Sequence, residues 1–333
     1  MSNDLNQENT LITNRYATDD SFWSENLKKL VEYKVKIIMD NRENKLKEWS
    51  KPPSDTEIEK CERSLRMVKE AVNSDSNLSK MNLEVYAKGS FDNRTNIPSD
   101  SDVDIAIVAK DYFFNKYPEN MSNEYFGFIT STYSYEDFKK QIELILIDKF
   151  GQSDVTIGSK SIKIRSNSCR VNADIVPHFV HRKYKDINLY DEGVALKDSN
   201  GGIIYNWPKQ DYDRGVLKNT STSRLYKNFV RILKNIRYEM ESKYTSADKN
   251  KVPSYLISCL IYNVPNSYFN ESYYISFKSI IDYLISETNK ANNLTHWIEV
   301  NEIKYLFGCH QKWKINDVNQ FLLDVKRFLE ELK

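Results

Sequence analysis

Cysteine is scarce in this chain of 333 residues: Cys61, Cys169, Cys259 and Cys309 lie far apart and form no CxxC pair. That excludes a disulfide framework and a zinc ribbon, and a reducing cytoplasm is the compartment expected. Histidine is equally sparse, at four residues, and supplies no evident general base. His178 and His181 are three apart, which on a strand sends them to opposite faces, so no zinc site is read there. Charge of one sign is also missing. With 48 basic and 47 acidic residues the net charge is +1, which argues against a broad surface for a template nucleic acid. No apolar run approaches the ~20 residues of a membrane span. The N-terminal MSNDLNQENTLITN lacks the apolar core of a signal peptide. Repeats and low-complexity tracts are absent.

What remains is an ordinary globular composition, 40% apolar and 29% charged, on a chain long enough for two lobes and a sizeable core. The most informative stretch is KGSFDNRTNIPSDSDVDIAIVA, from Lys88. A glycine-serine turn, Gly89-Ser90, is followed by Asp102 and Asp104, two carboxylates set inside an apolar strand pattern. Residues two apart on a strand share a face, so the two carboxylates project together with roughly 7 Å between their Cα atoms. Such a pair repels unless a cation lies between. Asp174, on a second alternating pattern, could join them. Three hard-oxygen ligands suit Mg²⁺ or Mn²⁺, and two ions ~4 Å apart would activate a hydroxyl and steady a leaving pyrophosphate. Gly89 permits close backbone approach to a triphosphate, and Ser90 offers a hydroxyl and an N–H.

Around this stretch the periodicity predicts an α+β fold. Residues 1–20 are polar and expected to be flexible. Three- and four-residue spacing of Phe22, Trp23, Leu27, Leu30, Val31, Val35 and Ile38 predicts a helix from an N-cap at Ser21 to Trp49, stopped by Lys51-Pro52-Pro53. A second helix starts at Ser54 or Asp55. Strands are expected at Leu83–Ala87, Val103–Val108, Val155–Ile157, Ser161–Ile164 and Arg170–Val176, with a helix at Tyr135–Phe150 and an irregular aromatic run from Tyr112 to Met121. LKDSNGGIIYNWPKQ carries turn chemistry and reads as a hairpin or loop. Beyond this segment the character changes, with helices expected at Ser223–Lys243, after Pro253, at Tyr273–Thr288 and at Ile315–Leu332. The expected division is a catalytic lobe over 21–210 and a helical lobe over 211–333.

Gly89-Ser90, Asp102-x-Asp104 and Asp174 resemble the pattern of the polymerase β-type nucleotidyltransferases. More closely, KGS, SDVDI, VNADIVP, YNWPKQ, LYKNFVRILKNIR and PSYLISCLIYNVP, in this order across residues 85 to 265, resemble the bacterial cyclic-oligonucleotide synthases related to cyclic GMP-AMP synthase, the CD-NTases of CBASS antiphage systems, clade E. The resemblance implies a polymerase β-like lobe on a mixed sheet, a helical C-terminal lobe and an active site in the cleft between them. It implies template-free joining of NTPs into a cyclic di- or trinucleotide second messenger, with Asp102, Asp104 and Asp174 carrying two Mg²⁺ ions. Lys227 or Arg231, with Ser254, matches positions that hold the donor triphosphate, and Tyr255 matches a base-stacking position or is a core tyrosine. Asn200 falls where base-reading groups lie in relatives, although Asn-Gly-Gly is also simple turn chemistry. A monomer whose product is sensed by an effector protein is expected. The other readings are a polymerase β-type transferase that modifies a protein, a tRNA end or a small molecule, and an inactive binding module.

Overall fold

This computed structural model describes residues 3–98, 102–119, 121–270 and 272–332, with the side chains of 3–24 and 291–293 left aside. The chain opens with one long helix, α1 (Asn3–Trp49). It starts well before Ser21, because nothing between Asn3 and Trp49 is proline or glycine and no residue there stops a helix. The side chains of Ser21, Phe22 and Trp23 lie outside the described residues. The apolar stripe expected to bury does not: Leu27, Leu30, Val31, Val35 and Ile38 are exposed. Docking begins only near the C-terminal end of α1. There Arg42 donates to the carbonyls of Glu330 and Leu332, and Glu43 accepts the backbone N–H groups of Tyr273 and Tyr274.

After the Pro52-Pro53 break, α2 (Asp55–Ser74) starts from a capping box in which Ser54 and Glu57 satisfy each other's backbone N–H. Its face of Cys61, Val68 and Val72 packs on a seven-stranded mixed sheet. The strands are β1 (Leu83–Lys88), β2 (Val103–Lys116), β3 (Val155–Ile157), β4 (Ile162–Ile164), β5 (Ala173–Asp186), β6 (Leu189–Lys197) and β7 (Ile203–Asn206). Their order is β1-β2-β5-β4-β3, with β6 and β7 continuing from the far half of β5. Only β2 and β5 run parallel; the other pairs are antiparallel.

Two sequence expectations change here. β2 does not end at Val108; after a register shift between Ala109 and Phe113 it resumes pairing with β5 as far as Lys116, so half of the aromatic run is strand. β5 likewise continues past Val176 to Asp186, because β6 supplies a partner for its second half. The helix α4 (Tyr135–Phe150), opened by a second capping box from Ser134 and Asp137, covers the same face as α2. The short helix α3 (Gly89–Asp92) leads out of β1.

The second half is helical: α5 (Pro208–Ser221), α6 (Leu225–Met240), α7 (Ser254–Tyr262), α8 (Tyr273–Asn289) and α9 (Ile315–Glu331). A separate apolar core joins α6 to α9 and takes in Leu46 and Trp49 of α1. α1 therefore packs with the helices and α2 with the sheet. Among the described residues no helix is long and apolar enough to cross a membrane.

Candidate active site

The strand register builds the site. Lys88 on β1 stands opposite Asp104 on β2, Asp104 opposite Asp174 on β5, and Asp174 opposite Lys163 on β4. Paired residues on neighbouring strands share a face, so one row across four strands reads Lys, Asp, Asp, Lys. Asp102 sits just before β2, exposed at its mouth, where Asn172 donates to its Oδ1 at 3.0 Å. The expectation that the Asp102 carboxylate is set inside a strand is thus corrected: Asp104 and Asp174 are half-buried within strands and Asp102 is at the threshold.

Gly89 turns the chain here with φ +70, and a Cβ at this position would collide with the Asp104 carboxylate. A glycine is required on both counts. Burial raises the pKa of Asp174, with the Asp102 charge adding to the rise, while Lys163, 3.7 Å away, and Lys88 oppose it. Repulsion between carboxylates is what a cation would relieve. Among the described residues no three His, Cys, Asp or Glu side chains close into a cage by themselves. An open carboxylate set of this kind fits Mg²⁺ or Mn²⁺ that also takes phosphate oxygens and water.

Asp102, Asp104 and Asp174 line a cavity of about 290 Å³ together with Gly89, Ser90, Asn93 and Thr95 from the sheet side. The opposite wall is helical and comprises Pro208, Asp211, Tyr226, Lys227, Lys234, Ser254, Tyr255, Ser258 and Val300. Of the residues singled out in the sequence, Gly89, Ser90, the three aspartates, Lys227, Ser254 and Tyr255 are thereby brought together. Two are not. Arg231 is turned away, its guanidinium donating to the carbonyls of Ser50 (2.6 Å) and Arg94 (2.5 Å) and to Asn228 Oδ1 (2.6 Å). Asn200 is exposed in the β6–β7 turn, where Asp198 Oδ1 accepts its N–H and that of Gly202. It serves as a turn residue, and Gly201 beside it takes φ +83.

The basic residues of α6 divide the labour. Lys227 reaches the cavity, over the Tyr212 ring and in the field of Asp92. Lys234 lines the cavity and donates to the Thr95 carbonyl at 2.9 Å, and Arg231 fastens α6 to the end of α1 and to the loop after α3. Burial, with Arg231 and Arg94 nearby, lowers the Lys227 pKa. Sequence reasoning missed Asp211, Asn93, Thr95, Tyr226, Lys234 and Ser258. His178 and His181 are fully buried, and burial pushes their pKa values down to about 3 and about 4. Their Nδ1 atoms bond backbone oxygens of Val176 and Phe114, so they belong to the fold rather than the chemistry.

Residues 213–330 match the family model of the cGAS/DncV-like nucleotidyltransferase C-terminal helical domain. The chain is 39% identical over 294 residues to a cyclic dipyrimidine nucleotide synthase of Legionella pneumophila, covering 87% of this chain and 98% of that one. It is 34% identical to a cyclic GMP-AMP synthase of Staphylococcus schleiferi, over 86% of this chain and 96% of the relative. The structure of the Rhodothermus marinus c-UMP-AMP synthase with Apcpp and Upnpp superposes with a TM-score of 0.75 at 30% identity, covering 87% of this chain and 95% of that one.

Proposed function

The chain belongs to the bacterial cGAS/DncV-like nucleotidyltransferases of clade E, and from that membership we propose that it joins NTPs, without a template, into a cyclic di- or trinucleotide messenger. The observation that carries this reading is the single cavity into which the sheet delivers Asp102, Asp104 and Asp174 and the helices deliver Lys227, Ser254 and Tyr255. Gly89 brings the backbone close to the triphosphate, and Ser90 binds it through hydroxyl and N–H. Lys227 neutralises the donor triphosphate, and Arg231 acts indirectly by holding the loop after α3 against α6. Tyr255 offers a ring on which a base stacks.

Two divalent cations, held by the three aspartates, would polarise the attacked phosphate and draw off charge from the departing pyrophosphate. Asp174 is the carboxylate set to orient the attacking ribose hydroxyl. The protein acts as a monomer in the cytoplasm, in antiphage (CBASS) signalling, and an effector protein senses its product.

The test is incubation of the purified chain with labelled NTPs and Mg²⁺ or Mn²⁺, followed by phosphatase treatment. Phosphatase-resistant cyclic products are expected. Label that appears only on a protein, an RNA end or a small acceptor would replace this reading with another nucleotidyl transfer.

A further inference from the structure

The helical wall holds a carboxyl group that the reaction above does not use. Asp211, in the first turn of α5, lines the cavity beside Pro208, Tyr226, Tyr255 and Val300. One turn later Gly215 is buried, with Asn93, Tyr226 and Val300 around it, so the same face of α5 is pressed into the cleft.

The Asp211 carboxyl is held in place from one side only. Tyr255 Oη donates to its Oδ1 at 2.8 Å, and Asn301 Nδ2 donates to the same oxygen at 3.2 Å. Those donors are anchored in turn by Glu299, whose Oε2 lies 3.1 Å from Tyr255 Oη and 2.8 Å from Asn301 Nδ2, and Gln311 donates to Glu299 Oε1 at 2.6 Å. Among the described residues no hydrogen bond goes to Oδ2. Asp211 is half-buried and lines the cavity, so Oδ2 is left to water or to a ligand there rather than to a partner in the fold. The cation nearby, Lys304, is committed to the Tyr205 carbonyl at 2.7 Å and lies over the Trp207 ring.

We propose that Asp211 is a specificity-determining residue whose Oδ2 reads the edge of the base stacked at Tyr255. The proposal rests on the cavity being the NTP site. Burial, with Glu299 adding and the Tyr255 and Asn301 hydrogen bonds and Lys304 opposing, pushes the Asp211 carboxyl up to about 7. The other groups that face it, Tyr226, Tyr255 and Cys259, are held neutral by burial. Both forms of Asp211 are therefore populated near neutrality, and they ask for different bases. Ionised, Oδ2 only accepts, and guanine presents two adjacent donors, N1–H and N2–H₂. Protonated, Oδ2 donates, which suits N3 of cytosine, N1 of adenine or a carbonyl of uracil.

The test uses the full chain with equimolar NTPs between about pH 6 and pH 8, where none of the bases titrates, and reads the base composition of the product by mass spectrometry. In parallel, fluorescence titrations measure the affinity for each of four non-hydrolysable NTP analogues. The guanine fraction of the wild type is expected to rise with pH. Asp211→Asn keeps an oxygen for Tyr255 and Asn301 and turns a permanent donor to the cavity. It should abolish that pH dependence and lower the guanine preference by about five- to tenfold. Asp211→Ala should flatten selectivity among the bases. Base ratios and analogue affinities that stay at wild-type values in both variants at every pH would reduce Asp211 to a structural role. A wild type that makes no oligonucleotide would overturn the synthase reading, and the titrations would still decide the role of Asp211. Should Asp211→Ala fail to fold, the isosteric Asp211→Asn decides.

Discussion

The two walls of the cleft solve opposite problems. On the sheet wall, Asp104 and Asp174 are brought side by side by strand register, with Asp102 at the threshold, and the pKa of Asp174 is raised. On the helical wall, polar groups bind one another: Arg231 to three oxygens, Tyr255 and Asn301 to Asp211 and Glu299. One wall stores charge for a ligand, and the other is a braced frame with a few atoms turned inward. The same phosphate chemistry must occur whatever bases are joined, whereas the bases must be told apart. On the reading proposed above, the difference separates the tasks: the carboxylates of the reaction on the sheet, base selection on the helices.

That contrast can be broken experimentally. Asp102→Asn with Asp104→Asn should lower synthesis by about a thousandfold or more, since an electrostatic centre is removed. Its melting temperature should be unchanged or higher, because the repulsion is gone; a large fall in melting temperature would make these aspartates structural. Arg231→Ala should do the reverse. It leaves the Ser50 and Arg94 carbonyls and Asn228 Oδ1 without their donor, and should cost about 2–4 kcal/mol in denaturant unfolding. Lys227→Ala, one turn away on α6, should cost less than about 1 kcal/mol in stability and raise the KM for NTPs by roughly tenfold. Equal behaviour of the Arg231 and Lys227 variants would erase the division between brace and ligand.

The smallest effect concerns pH. The pKa of Asp211 is raised from 3.8 to about 7 in the folded chain, so the folded state binds the extra proton across that window. Stability therefore falls as pH rises from about 4 to about 7 on account of this group, and is lowest above it. Asp211→Asn should accordingly melt a few degrees above the wild type at about pH 8 and show no such gain at about pH 5, as read by calorimetry. A gap independent of pH would mean the carboxyl is ionised throughout.

The sheet wall was the legible one. Gly89, Ser90, Asp102 and Asp104 lie within one short stretch, and their meaning follows from strand alternation alone. Asp174 was found the same way. The helical wall depended on tertiary partners. Lys227 and Arg231 are four apart on one helix, and nothing local separates them; only the carbonyls of Ser50 and Arg94 do so. α5 escaped notice because its first residues read as loop, Gly215 interrupts it and Trp207 supplies no side-chain cap. Pro208 at its first turn was the available signal. Asp211 lies on that unseen helix. Asn200 misled because turn chemistry and base-reading chemistry use the same residue type, and the Asp198 side chain decides for the turn.

The row Lys88, Asp104, Asp174, Lys163 also sets what this protein can tolerate as its gene changes length. Residues can be gained or lost between β2 and α4 without disturbing a single member of the row. One residue gained between Val103 and Asp104 would rotate the carboxylate to the far side of the sheet, since side chains alternate. Insertions should therefore accumulate in the stretches between strands and be purged from a few consecutive positions of four strands that are adjacent in space.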